Sequence, residues 1–227
     1  MVGADTNEFF SALNNAEEGF RISLSWSKTA RRLNDEFKVS VGFINGKRCL
    51  GGFLELLMHC HYLIAVQDAK LGMPEVTLPV VPGMEGCHWS FRKAKKEDWP
   101  KLLELLLSGK QVSANEAVGW LVDYTASEEN AFKLAWKLVT GKEHGLVKRD
   151  LNENALKELS FEIKLQVPEN PGMEAARKAI IDTIRDSCAA DLKEAINVQA
   201  KHSADFMISE FCKQGRVGSE YNRVMKI

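Results

Sequence analysis

Residues 39–66 read VSVGFINGKRCLGGFLELLMHCHYLIAV, and their pattern decides the fold. Val39, Val41 and Phe43 alternate with smaller residues, as in a half-buried strand, and Asn45-Gly46 ends the run as a turn. Gly51-Gly52 then opens the apolar segment Phe53-Leu54-Glu55-Leu56-Leu57-Met58, which predicts a short helix with both glycines in its first turn. Tyr62 to Val66 follows almost at once as a second strand. Strand, glycine turn, short helix and strand make a crossover unit, which points to an α/β fold.

Upstream, Phe20, Leu24, Ala30, Leu33 and Phe37 recur at helical spacings among Arg31, Arg32, Asp35 and Glu36, so residues 16–37 read as an amphipathic helix leading into the first strand. Downstream, Pro74, Pro79 and Pro82 keep residues 73–83 irregular, and this loop carries Glu75. Trp99 to Leu107 reads as a helix ending at Ser108-Gly109, and Ser113-Ala114-Asn115-Glu116 fits a capping box that would start another. Leu121 to Tyr124 reads as a short strand, and a helix starts at Ser127 and closes near Gly141. From residue 150 onward the chain reads as almost all helical, broken at Pro168 to Gly172. A long last helix is expected, with Leu192, Ile196, Gln199, Met207 and Phe211 forming a one-sided stripe. Such a stripe packs either on a partner subunit or on its own domain.

The chain has 227 residues, 45% hydrophobic and 27% charged, enough for one globular domain with a real core, or a domain plus a helical appendage. Thirty basic against thirty-one acidic residues leave a net charge of -1, so no global field draws it to nucleic acid or an anionic membrane. No apolar run reaches the roughly 20 residues needed to cross a bilayer, and the N-terminus lacks a signal-peptide pattern. A cytoplasmic or organelle-matrix home is the expectation. Five scattered cysteines without a C-x-x-C spacing argue against a disulfide framework and a structural zinc site, and read as small buried apolar residues.

Glycines at a helix start leave unpaired amides, allow close approach and add the positive end of the helix dipole, so Gly51-Gly52 would suit an oxyanion. Glu55 lies one turn further along, in a segment otherwise apolar; burial there would raise its pKa toward neutrality and fit it for proton transfer. Taken singly, these features are a tight turn, a solvated helix residue and, at Glu75, a lone loop carboxylate. His59-Cys60-His61 carries ligand-like side chains that adjacent positions do not converge, and the Arg92, Lys93, Lys95, Lys96 cluster reads as a solvated loop. There is no nucleophile elbow and no phosphate-cradling glycine loop.

The order of the pieces changes that reading. Gly42-Phe43-Ile44-Asn45-Gly46, Leu50-Gly51-Gly52-Phe53-Leu54-Glu55-Leu56, Leu71-Gly72-Met73-Pro74-Glu75-Val76 and Val81-Pro82-Gly83-Met84-Glu85-Gly86 together resemble the core signature of the enoyl-CoA hydratase/isomerase (crotonase) superfamily. Leu106 to Gly109, Val112 to Ala117 and Gly119 to Asp123 look like the segments that follow the active site, and Val2-Gly3-Ala4-Asp5 looks like the first oxyanion-hole loop. The resemblance implies an α/β, crotonase-like ββα superhelix over residues 1–125, N-terminally truncated, with a C-terminal helical region over 126–227 that serves oligomerisation. Strands that come before Ala4 in the family have no counterpart here, so the expectation is a fragment, a piece of a larger fused polypeptide, or a chain whose missing strands another polypeptide supplies.

The same resemblance implies the roles. The amides of Ala4 and Gly52 would form the oxyanion hole on the thioester carbonyl of an acyl-CoA, and Glu55 and Glu75 would be the catalytic acid/base pair. Glu55 would help activate a water that adds to Cβ of a 2-enoyl thioester while Glu75 handles the proton at Cα. Gly3, Asp5, Gly51, Phe53, Pro82 and Gly83 would bind substrate, with no metal and no cofactor beyond the coenzyme A of the substrate itself. Departures stand at Phe53, where the family often has a third glycine, at Pro79, and at Met84-Glu85, where it has small residues. Phe53 would narrow the acyl pocket, and Glu85 reads as a solvated loop residue. Retention of both glutamates favours a hydratase over a Δ3-Δ2-enoyl-CoA isomerase or another enolate-forming acyl-CoA lyase or hydrolase; a non-catalytic assembly or binding subunit is the reading from another class. A homotrimer or hexamer is the implied assembly.

Overall fold

The computed structural model describes residues 6–156, 159, 160, 162 and 164–224. Helix α1 (Ala16–Asp35) matches the 16–37 periodicity, and its start is fixed by Asn15, whose Oδ1 accepts the Glu18 amide at 3.1 Å. Glu17 and Glu18 in the first turn and Arg32 in the last complement the helix dipole. Its buried face is narrow and small, Gly19, Ile22, Ser23, Ser27 and Ala30, which lets another helix approach closely.

The deciding stretch folds as β1 (Val41–Ile44), β2 (Arg48–Leu50), α2 (Gly52–Met58) and β3 (Tyr62–Val66), followed by β4 (Lys70–Gly72) and a 3-10 turn (Pro74–Thr77). Then come α3 (Trp89–Lys93), α4 (Trp99–Ser108), β5 (Gln111–Ser113), β6 (Tyr124–Ala126) and α5 (Glu128–Val139). Two three-stranded sheets result. One is parallel, in the order β1-β3-β6, with Val41 opposite Tyr62 and Ile64 opposite Tyr124. In the other, β2 runs parallel to β4, with Arg48 opposite Lys70, and β5 closes it antiparallel. Successive strand–strand–helix turns therefore stack, the first strand of each turn in one sheet and the second in the other. All five residues of β3 are buried, as expected for a central strand covered on both faces.

The C-terminal part holds α6 (Pro171–Ala189), α7 (Leu192–Met207), α8 (Glu210–Gln214) and α9 (Arg216–Val224). The main core joins Leu54, Leu63, Leu71, Met73, Trp89, Phe91 and Leu103 to Ile180 and Ile184 of α6. A second cluster gathers Leu13, Ile22, Met207, Cys212 and Val217, and a third packs Tyr62 and Ile64 under Ala131 and Leu138 of α5. The α7 stripe of Ile196, Gln199, Ala200, Ser203 and Met207 is buried within the chain, against α1 and α6. Three exposed large apolar residues, Phe132, Trp136 and Val139, share helix α5.

Three expectations change. The described residues between 150 and 169 are not helical: the Asn152 amide donates to Arg92 O (2.9 Å) and the Leu156 amide to Cys188 O (2.7 Å), so other elements take bonds a helix would have made. The last helix stops at Met207, because Ser209 caps a new one by accepting the Cys212 amide at 3.2 Å, and Phe211 is left partly exposed. The Ser113–Glu116 box forms, with the Ser113 amide 2.8 Å from Glu116 Oε2, yet only turns follow it, ended by Gly119 at φ 92. All five cysteines are free and buried. Among the described residues no helix is long and apolar enough to cross a membrane.

Candidate active site

Gly51 takes φ 58 and ψ −138, a conformation open essentially to glycine alone, while its amide donates to Gly72 O of β4 at 2.9 Å. The chain thereby turns from β2 straight into α2. The first intrahelical bond runs from the Glu55 amide to Gly51 O (3.0 Å), which leaves the amides of Gly52, Phe53 and Leu54 as the open donors of a helix start. Gly51 and Gly52 both line a cavity of about 270 Å³.

Glu55 belongs to the first turn of α2 and is 2% exposed. Its Oε1 accepts two backbone amides, Met84 at 2.9 Å and Gly86 at 2.8 Å. Burial pushes its pKa up to about 7, against those amide bonds, which favour the anion; the negative charge of Glu85 adds to the rise. Glu75 sits on the 3-10 turn started by Pro74, where Val76 is buried and the Leu78 and Val80 amides both donate to Glu75 O. It is 8% exposed, and its Oε2 has no hydrogen-bond partner among the described residues. Burial, reinforced by the charge of Glu55, lifts its pKa to about 8. Both glutamates line the same cavity as Gly51 and Gly52, with Leu50, Val81, Gly83 and Met84 as apolar walls and Phe9 and Trp26 at its N-terminal side.

A cavity with open amides at one helix start and two buried carboxyl groups of near-neutral affinity can polarise a carbonyl and move protons. Among the described residues no group of three or more His, Cys, Asp or Glu side chains is placed to hold a metal ion. His59 and His61 diverge as expected: the His59 ring lies 4.1 Å from the Trp89 ring, and His61 Nδ1 accepts the Ser40 amide at 3.0 Å.

Of the sequence-derived site, Glu55, Glu75, Gly51, Gly52 and Gly83 come together. Phe53 packs against the main core, and the buried Pro82 presents its carbonyl to Gln199 Nε2 at 2.8 Å. Gly3, Ala4 and Asp5 lie outside the described residues. Glu85 requires a correction: it is not solvated but 0% exposed, with Arg31 Nε 2.9 Å from its Oε2, His59 Nε2 3.3 Å away and His88 Nε2 3.1 Å from its Oε1. Burial alone would push its pKa up, but a hydrogen bond with His59, the His88 ring beside it and the hydrogen bonds from Arg31 hold it well below the usual carboxylate range. Arg92 is likewise buried rather than solvated, its guanidinium spent on the carbonyls of Asn152, Asn154, Ser187 and Ala190. Lys93 Nζ donates to Cys60 O at 2.7 Å, and burial lowers its pKa to about 8. The cation that pairs with Glu85 lies 54 positions away, beyond the reach of any local pattern.

The family model described as enoyl-CoA hydratase/isomerase matches residues 2–145. A probable enoyl-CoA hydratase of Bacillus subtilis (strain 168) is 38% identical over 129 residues, covering 56% of this chain and 48% of that one. A fatty acid oxidation complex subunit alpha of Shewanella loihica is 28% identical over 222 residues, covering 92% of this chain and 31% of the relative. The chain thus spans about half or less of the length of these curated relatives. In fold, it is similar to a carnitinyl-CoA dehydratase from Mycobacterium thermoresistibile, with a TM-score of 0.66 at 14% identity over 99% of this chain and 72% of that one. The family match covers more than half of the chain and includes both glutamates and the glycine turn, and the chain belongs to the enoyl-CoA hydratase/isomerase family.

Proposed function

We propose that this chain carries an enoyl-CoA hydratase site that adds water across the 2,3-double bond of an enoyl-CoA thioester. The observation that carries this reading is the pair of buried carboxyl groups, Glu55 and Glu75, on one cavity beside the open start of α2. The thioester carbonyl would accept the Gly52 amide, with the Ala4 amide as the second donor implied by the resemblance, so that charge developing on oxygen as an enolate is stabilised. Glu55, whose Oε1 accepts two backbone amides that favour its charged form, is the anion that takes a proton from water as its oxygen bonds to Cβ. Glu75, buried with no hydrogen-bond donor among the described residues on its Oε2 to hold it as an anion, delivers its proton to Cα as the carbonyl re-forms. The net change is the addition of H and OH, and the proton left on Glu55 returns to Glu75 through solvent. Acid and base share one cavity but differ in hydrogen bonding, two amides on Glu55 and, among the described residues, none on Glu75 Oε2, which separates their roles as this chemistry needs. It requires no metal and no cofactor apart from the coenzyme A of the substrate.

A Δ3-Δ2-enoyl-CoA isomerase would shuttle one proton on one carboxylate; the free, buried Glu75 Oε2 favours a second working group. Hydration of crotonyl-CoA, followed by loss of the conjugated thioester absorbance, tests the proposal. Isomerisation of a 3-enoyl-CoA without hydration would favour the isomerase, and neither reaction in a sample that binds no acyl-CoA by calorimetry would favour an assembly subunit. A homotrimer or hexamer, or a place within a larger fused polypeptide, belongs to the same proposal. A light-scattering mass of one chain would count against the assembly.

A further inference from the structure

Glu85 stands between the two residues whose amides hold Glu55, and the proposed chemistry gives it no task. It is a buried carboxylate at φ 65, a backbone region that side chains other than glycine rarely adopt, so the surroundings must over-determine it. Arg31 of α1 reaches it with Nε at 2.9 Å, and also donates through Nη2 to Leu192 O at 2.7 Å, at the start of α7. His59 joins the two glutamates from the other side: its Nε2 is 3.3 Å from Glu85 Oε2, and its Nδ1 is 2.8 Å from the carbonyl oxygen of Glu55. The charged and titratable groups around Glu85 are thus Arg31, His59 and His88, with Arg92 Nε 3.1 Å from His88 Nδ1; around Glu55 they are Glu75, Glu85 and the buried Cys87 thiol.

We infer that Arg31 and Glu85 form a positioning pair that fixes the Met84 and Gly86 amides on Glu55 Oε1 and so aims the second carboxylate oxygen of Glu55 for proton transfer. The pair acts through the backbone of residues 84–86 and does not touch substrate. The competing account is an ion pair that merely ties α1 to the core. The inference rests on the reading of Glu55 as catalytic, so its test needs a readout independent of turnover.

The variants are Arg31→Met, Glu85→Gly, both together, and Arg31→Lys as the conservative change, all in the full chain. Crotonyl-CoA hydration is expected to lose about 10²-fold in kcat, the scale for a reacting group displaced by about 1 Å. KM stays near the wild-type value, and Arg31→Lys recovers part of the loss. Independently, the backbone amide resonances of Met84 and Gly86 follow the titration of Glu55 in the wild type and exchange slowly. Both behaviours are expected to be lost in the double variant, which leaves no unpaired charge from the pair itself. A folded double variant that keeps them overturns the inference, and so does one that cannot fold, since the pair is then structural. A wild type that hydrates nothing while its amides respond as described removes the hydratase reading and leaves the positioning pair standing.

Discussion

Glu55 and Gly86 are fitted to each other: the Gly86 amide donates to Glu55 Oε1 at 2.8 Å, and a Cβ built at position 86 would stand 2.7 Å from that same oxygen and 2.9 Å from Glu55 Cγ. A side chain there cannot coexist with the carboxylate in place. Gly86→Ala is therefore expected to displace Glu55 and lower kcat by about 10²-fold, more than it lowers acyl-CoA binding. Steady-state kinetics set beside calorimetric affinity check the split.

Replacing Glu75 by glutamine keeps its size but removes the proton it would give to Cα. Hydration is expected to fall by about 10²–10⁴-fold, the usual worth of a positioned acid or base. Turnover that survives Glu75→Gln undiminished sinks the role assigned to it.

The rate should be bell-shaped in pH. Below about 7 the base Glu55 gains a proton, and above about 8 the acid Glu75 loses one, so hydration falls on both sides. Because each group feels the other, the limbs belong to the pair. Glu75→Gln should abolish the alkaline limb in whatever residual rate it retains.

Stability should also depend on pH, with opposite signs from neighbouring residues. Glu55 and Glu75 have folded affinities raised from 4.5 to about 7 and about 8, so the native state holds more protons than the unfolded one across that window. Their contribution is therefore most favourable below 4.5 and declines as pH rises toward 8. Glu85 is held well below 4.5, so its stabilisation is full above that value and fades as pH falls through its folded pKa. Urea midpoints measured across pH should fall less steeply from 4.5 to 8 in a Glu55→Gln, Glu75→Gln double variant, and less steeply on the acid side in Glu85→Gln.

Ile180 is 0% exposed on α6, the helix packed against the 3-10 turn that carries Glu75. Truncation to alanine leaves a void and should cost about 2–5 kcal/mol in chemical denaturation. A loss well under that range would mean that the α6 contact closes up easily around the gap.

The glycine turn, the helix after it and strands β1 and β3 were legible from residues 39–66 because their signals are local: alternation, a turn residue and an apolar run; β2, three residues long, was not. The same holds for Glu55, whose place beside Gly52 follows from one turn of helix. Local signals misled where partners are distant. Residues 150–169 carry apolar residues enough for a helix, but the amides of Asn152 and Leu156 bond to the carbonyls of Arg92 and Cys188 instead. The capping box at Ser113 forms its bonds without a helix to cap.

What the sequence by itself determined is the order of the motifs, and with it the family, the glycine-opened helix and the candidate glutamate pair. Only the tertiary structure decided that both carboxyl groups face one cavity and that Glu85 is buried with Arg31, His59 and His88. Burial and charge pairing depend on residues brought together from α1, α2 and the 84–88 loop, and no spacing along the chain encodes them. A carboxylate in a polar-looking loop reads as solvated until the arginine that neutralises it, 54 positions earlier, is placed beside it.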